Sequence, residues 1–342
     1  MPLPLNYSAQ DELQKVVQLL STIPKVLLVS HQRPDGDTLG ATVALAIALH
    51  SRGVEVVPAC IDHVPTRLQF ISDLLPAPLR FVQTFNKTDF PCMVIQDAGA
   101  SHMTGFQNVY TNFLDHSIPF INIDHHASND FFGTINVVDP KASSATMITY
   151  KLIKAMGIPF TKEMAIALMA GIYNDTGGMQ HSNTTQETFE IAADLAQFGV
   201  KVEDISRPMF KMSTLPQLKL WGHILEQARM NDEQILSSVV THEDLMKIGA
   251  HAGDTGGIID LLNTVPDSKF SLLLAEDKGM VKGSLRTQRE EVNVSDLAAP
   301  FGGGGHPKAS GFRVQGRLGK EIRWKILPVT ADHQQLTQHV IQ

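Results

Sequence analysis

Four separate segments of the chain place aspartate or histidine next to apolar stretches. They supply His31, Asp35 and Asp37 in "HQRPDGD", Asp97 after "CMVIQ", Asp124, His125 and His126 after "FINI", and Asp175 in "GIYNDTGG". Each segment alone has an ordinary explanation, because Asp35-Gly36 is typical of a turn and Asp37 of the N-cap of a helix starting at Thr38. Together they indicate one site, since an open parallel sheet carries its functional residues at the carboxyl ends of its strands.

The donor set determines which metal such a site would suit. Carboxylates and imidazoles without thiolates favour Mn²⁺ or Mg²⁺ over a structural zinc ion. A calcium-binding EF-hand is excluded, because Leu39 stands at the ligand position that follows Asp35 and Asp37. The ligands suffice for two cations, and two cations about 3.5–4 Å apart can share a carboxylate, activate a water and clamp a phosphoryl group. These residues therefore predict a phosphoesterase that uses a two-metal activated water.

A second cluster lies nearer the carboxyl terminus, in "KGSLRT" (282–287) and "FGGGGHPKASGF" (301–312). Packing is not expected to explain four consecutive glycines, because they have no side chain and cost conformational entropy. They allow the backbone to approach a ligand and to point N–H groups at an anion. His306 and Lys308 follow the glycines directly, and Arg286 lies on a neighbouring predicted strand. Together these residues predict a phosphate cradle. A flexible surface loop is the alternative.

The surrounding elements predict the fold class. Apolar strands alternate with helical patterns in the first half, which is typical of an α/β fold with a parallel sheet. Strands are predicted over 25–31, 54–60, 92–98 and 120–126, and helices over 38–53, 145–157, 163–177 and 185–199. Beyond residue 228 come short strands with turn signals such as Asp277-Lys278-Gly279. We predict an α/β domain over 1–199, a helical connector over 200–228 and a smaller α/β domain over 229–342.

Composition restricts the class of ligand and the compartment. The 342 residues are 43% hydrophobic and 18% charged, which is ordinary for a soluble two-domain protein. A net charge of −7 disfavours binding of long nucleic acid, which needs a basic stripe, and favours a short ligand in a local pocket. No apolar run is long enough to span a membrane and no secretory signal is visible. Cys60 and Cys92 form no C-x-x-C motif, so a reducing cytoplasm is expected.

The ordered motifs "HQRPDGD", "QDAG", "DHH", "NDTGG" and "GGGGHPKASGF" resemble those of the DHH phosphoesterase family with its associated C-terminal domain. Within the family, the chain is most similar to the nanoRNase and 3′-phosphoadenosine-5′-phosphate (pAp) phosphatase branch, which includes cyclic-dinucleotide phosphodiesterases. The resemblance extends from about residue 20 to residue 315. It implies an α/β architecture with the active-site cleft between the two domains.

The resemblance also implies roles for individual residues. The first metal would be held by His31, Asp35 and Asp97, and the second by Asp37, Asp97, His125 and Asp175, so that Asp97 bridges the two. His126 would contact the scissile phosphate or assist the leaving group, and Asp124 would orient an imidazole. Arg286 and His306, with Gly303, Gly304 and Gly305, would bind the substrate. The metals implied are Mn²⁺, with Mg²⁺ or Co²⁺ as alternatives.

The chain departs from the family pattern at two places that bear on substrate preference. Asp97 is followed by Ala98-Gly99, where relatives often have Asp-Thr or Asp-Ser with an arginine a few residues on. The segment "SSATM" (143–147) lacks the acidic residue that often follows such a serine pair. Neither departure changes an implied metal ligand.

The expected function is hydrolysis of short nucleotides: nano-oligoribonucleotides, pAp, or linear or cyclic dinucleotides. Inorganic pyrophosphatase or polyphosphatase activity is the first alternative, disfavoured because "SLRTQRE" stands where such enzymes carry a Ser-Arg-Lys-Lys signature. A non-catalytic nucleotide sensor is the second, and it would predict eroded ligands or a basic face. Homodimers are common among relatives, but no residue here specifies one, and the physiological substrate and the direction of attack stay open.

Overall fold

Two compact units make up the part of the chain that the structure, a computed structural model, describes: residues 7–110, 112–210 and 213–319. The first unit extends as far as Phe210 and the second begins at Ser213. The division falls inside the segment 200–228, the predicted helical connector. The predicted domain boundaries at residues 199 and 229 stay a prediction.

The first unit is built on a five-stranded parallel sheet in the order β2-β1-β3-β4-β5. The strands are β1 (Lys25–Ser30), β2 (Glu55–Ala59), β3 (Met93–Gln96), β4 (Phe120–Asp124) and β5 (Ile135–Val138). Strands β3 and β4 are buried along their whole length, as their continuous apolar runs require when both faces of a sheet are covered. The four predicted strands are confirmed, whereas the short edge strand β5 was not predicted.

The described residues of the first unit also form seven α-helices. They are α1 (Ala9–Leu20), α2 (Gly36–Ser51), α3 (Gln69–Ser72), α4 (Ala145–Ala155), α5 (Lys162–Asp175), α6 (Gln186–Ala196) and α7 (Val202–Phe210). Helix α2 is apolar on all sides and buried from Gly36 to Leu49, as expected for a helix enclosed by its neighbours. It packs against α4 and α5, which brings the start of α2 close to the end of α5.

The second unit has a six-stranded mixed sheet in the order β10-β11-β9-β8-β7-β6. Its elements are α8 (Leu215–Gln227), β6 (Arg229–Met230), β7 (Ile235–Val240), α9 (His242–Ile248), α10 (Ile258–Leu262), β8 (Phe270–Asp277), β9 (Met280–Arg286), α11 (Val294–Ala298), β10 (Gly304–His306) and β11 (Ala309–Gln315). The predicted turn between β8 and β9 is present, with positive φ at Lys278 and Gly279, as a two-residue hairpin loop requires. The α/β fold class is thus confirmed in both units.

Helices cover both faces of this second sheet. Leu273 and Ala275 of β8 share a core with residues of α8 and α10 on one face. On the other face, Leu285 and Phe312 pack with Val294 and Ala298 of α11. Among the helices of the described residues, none is both long and apolar enough to cross a membrane.

Candidate metal centre and substrate-binding face

The carboxyl ends of three adjacent strands place the predicted ligands of the first unit at one edge of the sheet. His31 follows the last residue of β1, Asp97 follows β3, and His125 follows β4. These strands are neighbours in the order β1-β3-β4. The start of α2 adds Asp35 and Asp37, and the end of α5 adds Asp175.

Asp97 lies at the centre of this group. Its Oδ2 is 3.4 Å from His31 Nε2, and its Oδ1 is 3.6 Å from His125 Nε2 and 3.7 Å from His126 Nδ1. The backbone of Asp97 has a φ of 57°, the left-handed region that aspartate tolerates better than most residues. Although Asp97 Oδ1 is buried, it has no hydrogen-bond partner among the described residues. Such an oxygen fits a metal ligand, because a buried acceptor without a partner is costly.

The first donor group consists of His31, Asp35 and Asp97, whose ligand atoms lie within 4.8 Å of one another. His31 Nδ1 is 2.8 Å from the Gln32 carbonyl, which directs Nε2 towards the two carboxylates. Burial opposes the charge on His31, but Asp35 and Asp97 raise its pKa well above 6.5. The three side chains therefore attract a cation strongly.

Asp35 and Asp37 have different local roles from those expected. Asp35 is the N-cap of α2, since its Oδ1 accepts hydrogen bonds from the amides of Asp37 (2.9 Å) and Thr38 (3.1 Å). The structural explanation of Asp37 as the N-cap of a helix starting at Thr38 is thus wrong, because the helix begins at Gly36. Although burial opposes it, the His31 imidazole and the two amides lower the pKa of Asp35 to about 2.

The second donor group consists of Asp37, Asp97 and His125, again with ligand atoms within 4.8 Å of one another. Asp37 accepts hydrogen bonds from the amides of Ala145 (2.6 Å) and Thr146 (2.9 Å), the first residues of α4. These bonds hold its carboxylate at the positive end of that helix. Even so, burial and the nearby carboxylates of Asp175 and Asp97 raise the pKa of Asp37 well above 3.8.

Asp175 adjoins the second group through His125. Its Oδ2 is 3.0 Å from His125 Nε2, and burial of that imidazole is outweighed by Asp175 and the other carboxylates, which raise the pKa of His125 well above 6.5. The approach of α5 depends on Gly171, because a Cβ there would stand 2.7 Å from Asp37 Oδ1 and 2.3 Å from the Thr146 methyl group. A side chain at this position would therefore push Asp37 or α4 away from the site.

His126 is held by a buried chain of hydrogen bonds. Its Nδ1 donates to Asp124 Oδ1 at 2.7 Å, and Asp124 Oδ2 accepts from Asn129 Nδ2 at 2.6 Å. Asn129 also accepts from Asn122 (3.1 Å) and from the Phe131 amide (2.8 Å). Burial lowers the pKa of His126, but Asp124 outweighs it and raises that pKa above 6.5.

Asn129 is the functional residue that sequence reasoning missed. It is almost fully buried, and it also donates to the Ala98 carbonyl, one residue after Asp97. It therefore joins the segment after β3 to the segment after β4. The available signal was an amide in the short loop "DHHASND", five residues after Asp124.

The predicted substrate-binding residues all lie in the second unit. Arg286 at the end of β9 pairs with Ala309 of β11, which pairs with His306 of β10. Cross-strand partners point to the same face of a sheet, so Arg286 and His306 share a face with only an alanine between them. Arg286 Nε donates to Asp260 Oδ1 at 2.8 Å, which orients the guanidinium.

The glycine-rich segment requires a correction. It ends in the short strand β10 rather than in a flexible loop. Two of its glycines have a packing reason that was not expected: a Cβ on Gly303 would lie 2.3 Å from the Gly311 carbonyl, and one on Gly305, whose φ is +145°, would lie 2.6 Å from the Ala309 carbonyl. Gly304 is different, because a Cβ there would meet nothing within 4 Å. Of the three glycines predicted to bind the substrate, Gly304 is therefore the one best suited to a ligand.

Family comparisons agree with this geometry. Residues 25–172 match the DHH family, N-terminal domain, and residues 232–325 match the DHHA1 domain. The chain thus carries both domains of DHH-family proteins, and it is an enzyme of the phosphoesterase class. The family resemblance predicted from the five motifs is confirmed.

Individual relatives are similar over nearly their whole length. The bifunctional oligoribonuclease and PAP phosphatase NrnA of Thermus thermophilus is 28% identical over 317 residues, which cover 90% of this chain and 89% of the relative. The protein of the same name from Bacillus subtilis is 24% identical over 303 residues, 88% of this chain and 92% of the relative. The crystal structure of an exopolyphosphatase-related protein from Bacteroides fragilis superimposes with a TM-score of 0.82 at 25% identity, covering 92% of this chain and 94% of that one.

Proposed function

We propose that this protein hydrolyses phosphoester bonds in short nucleotides with the help of two divalent cations. The observation that carries the proposal is the convergence of two donor groups on Asp97, which has a buried oxygen without a hydrogen-bond partner among the described residues. One carboxylate common to two ligand sets is the arrangement that a pair of adjacent cations requires.

The ligand assignment follows the two groups. His31, Asp35 and Asp97 would hold one cation, and Asp37, Asp97, His125 and Asp175 the other. When bound, the cations would acidify a water and neutralise charge on the phosphoryl oxygens. Oxygen and imidazole donors without thiolates support Mn²⁺ as the metal, with Mg²⁺ or Co²⁺ as alternatives.

The proton chemistry falls to His126. Because its Nδ1 donates to Asp124, we assign Nε2 as the ring nitrogen that meets the substrate. Asp124 raises the pKa of His126, which favours the protonated ring, and a protonated His126 can hydrogen-bond to the scissile phosphate or donate a proton to the leaving oxygen. Asn129 keeps Asp124, and through it His126, in a single orientation.

The substrate class is supported by the relatives and by the charge of the chain. The relatives from Thermus thermophilus and Bacillus subtilis are named for oligoribonuclease and PAP phosphatase activities. We therefore propose oligoribonucleotides of a few residues and pAp as substrates, with linear or cyclic dinucleotides as further candidates. Arg286, His306 and Gly304 would bind the nucleotide, and the net charge of −7 favours a short one.

A second candidate function is hydrolysis of polyphosphate or pyrophosphate. One observation favours it: the similar Bacteroides fragilis structure belongs to an exopolyphosphatase-related protein. The metal centre would serve either reaction, so the substrate-binding face must distinguish them. Cytoplasmic location is part of the main proposal, supported by two buried cysteines that form no disulfide. A homodimer is the assembly to check by light scattering.

The test is a hydrolysis panel with added Mn²⁺ and chromatography of the products. It compares pAp, an RNA dinucleotide, a long RNA, cyclic di-AMP, pyrophosphate and polyphosphate. Rapid turnover of pAp or the dinucleotide, with little of the long RNA, is expected. Preference for pyrophosphate or polyphosphate would establish the second candidate. Tight nucleotide binding without any turnover would overturn both and identify a sensor.

A further inference from the structure

One face of β9, β11 and β10 carries three rows of side chains, which together we call the shelf. The register defines the rows: Arg286–Ala309–His306, then Ser284–Gly311–Gly304, then Lys282–Arg313. Each row consists of cross-strand partners, so its members point to the same face. Consecutive rows are two residues apart along β9, which is about 6.8 Å in an antiparallel strand.

The helical layer of the second unit ends at the edge of the shelf. On β8, the partners of Arg286, Ser284 and Lys282 are Ser271, Leu273 and Ala275, and all three are buried. On β9 itself, every residue of the shelf is half-exposed. Within the described part of the second unit, the helices thus cover the β8 part of this sheet face and leave the adjoining shelf uncovered.

Cationic side chains occupy the two outer rows, and in each of these rows a carboxylate orients the arginine. Arg286 donates to Asp260 through Nε in the first row. In the third row Arg313 extends across β9 to Asp277 of β8, at 3.3 Å, beside Lys282. A guanidinium has five N–H donors, so each arginine keeps donors for a second anion.

The middle row is polar and carries no large side chain. It has one hydroxyl, from Ser284, and two glycines, Gly311 and Gly304. A Cβ on Gly304 would meet no atom within 4 Å. An extended strand could therefore pass over this row without a steric obstacle, with its backbone close to the sheet.

We propose that the shelf binds successive phosphates of a short nucleotide strand and so measures its length. The spacing of the rows is close to that of successive phosphates in an extended nucleotide chain. One phosphate would lie at Arg286 and His306, the next at Ser284 and Gly304, and the third at Lys282 and Arg313. This inference rests on the proposed function and extends it: because the scissile phosphate lies at the cations, the third row contacts only substrates with four or more phosphates along the strand.

Binding of nucleotides of increasing length tests the inference. The full-length protein with Mn²⁺ is titrated with 5′-phosphorylated adenosine di-, tri- and tetranucleotides whose internal links are hydrolysis-resistant phosphorothioates. The expected result for Lys282→Met is loss of about fivefold in tetranucleotide affinity, as for one partly exposed charge pair, with dinucleotide and trinucleotide affinity unchanged. Arg313→Met is expected to reproduce this pattern, and it replaces Lys282→Met if that variant does not fold.

Salt dependence and a matched control separate an electrostatic contact from a structural effect. Lys282→Met should reduce the slope of log affinity against log salt by about 0.7 for the tetranucleotide alone. Lys278→Met, in the turn of the same hairpin but outside the shelf, should change neither quantity. Equal losses at all three lengths, no loss, or no gain from trinucleotide to tetranucleotide in the wild-type protein would each overturn the inference. Failure of the proposed function would instead appear as no hydrolysis of the unmodified nucleotides.

Discussion

The proposed metal centre of the first unit and the shelf of the second are built in different ways. In the metal centre, Asp37, Asp97 and His125 are buried and held by helix amides and a strained backbone. On the shelf, Arg286 and Lys282 are half-exposed and are placed by strand register, with an ion pair to Asp260 that also orients Arg286. Chemistry on a phosphoryl group tolerates little displacement, whereas binding of a charged chain tolerates more. Substitutions should therefore have large, all-or-none effects in the first region and graded ones in the second.

The largest effect is expected from Asp97→Asn. It removes the carboxylate common to both donor groups. Loss of a residue that only hydrogen-bonds to a metal ligand costs up to roughly 100-fold, so turnover should fall by more than this. The measurements are kcat with Mn²⁺ and metal content per chain. Asp130→Asn, at an exposed aspartate in the neighbouring loop, is the matched control. Near wild-type turnover with two metals still bound would show that Asp97 is no bridge.

Asn129→Asp should produce the next largest effect. The substitution keeps the shape of the side chain. It replaces the amide group that donates a hydrogen bond to Asp124 with a carboxylate, which cannot donate. Loss of orientation at His126 should lower kcat by roughly 10- to 100-fold with little change in KM. Steady-state kinetics and urea unfolding of the same preparation separate this effect from instability. A raised KM with unchanged kcat would assign Asn129 to the substrate instead.

Gly303→Ala and Gly304→Ala sharpen the comparison within the second unit. At Gly303 the new methyl group would collide with the Gly311 carbonyl, so we expect a loss of roughly 1–3 kcal/mol in the free energy of unfolding. At Gly304 the same change should leave stability unaffected and weaken nucleotide binding. Denaturant titrations and binding curves for the pair give the answer. Equal stability of the two variants would contradict the tight pairing of β10 with β11.

The smallest effect concerns pH and metal. Burial and Asp35 raise the pKa of Asp97 to about 6 in the folded protein, above the usual 3.8. The folded state thus binds more protons than the unfolded state between these values, and rising pH destabilises the metal-free protein. The raised pKa values of His31 and His125 act in the same direction above pH 6.5. Metal ions replace these protons.

Thermal unfolding with chelator and with Mn²⁺ measures this linkage. The increase in Tm on adding Mn²⁺ should be larger at pH 8 than at pH 5.5, by about 2–4 °C for each kcal/mol of linkage in a domain of this size. An increase that is the same at both pH values would mean that the cations do not displace protons from these residues.

Much of the fold and of the metal centre could be predicted from local patterns. The apolar runs at 25–31, 92–98 and 120–126 are strands because each is continuous and ends in polar residues. The "DHH" triplet could be recognised as part of a site in the same way, because three ionisable residues at the end of a buried run must contact one another, water or a ligand. Edge strand β5 was missed because its "INVV" is too short and too little buried to differ from a loop.

Details of the site depended on contacts between distant segments. Asp35 rather than Asp37 caps α2, because Asp37 accepts from α4, more than a hundred residues later. Asn129 could not be found, because its role consists of bonds to Asp124, Ala98 and Asn122, which belong to two strand ends. Positions 303 and 305 need glycine because a Cβ there would collide with backbone carbonyls of β11. The run "GGGGH" alone does not reveal these contacts.

The sequence by itself determined the types of donor side chain, their positions after apolar runs, and the α/β fold that gathers strand ends at one edge. Only the tertiary structure decided which of these donor side chains lie together and which side chains share the shelf. The physical reason is that hydrophobic periodicity is a local property, whereas strand order and register follow from the packing of the whole sheet. The β1-β3-β4 order makes Asp97 central, and the register of β9, β11 and β10 places Arg286 in one row with His306.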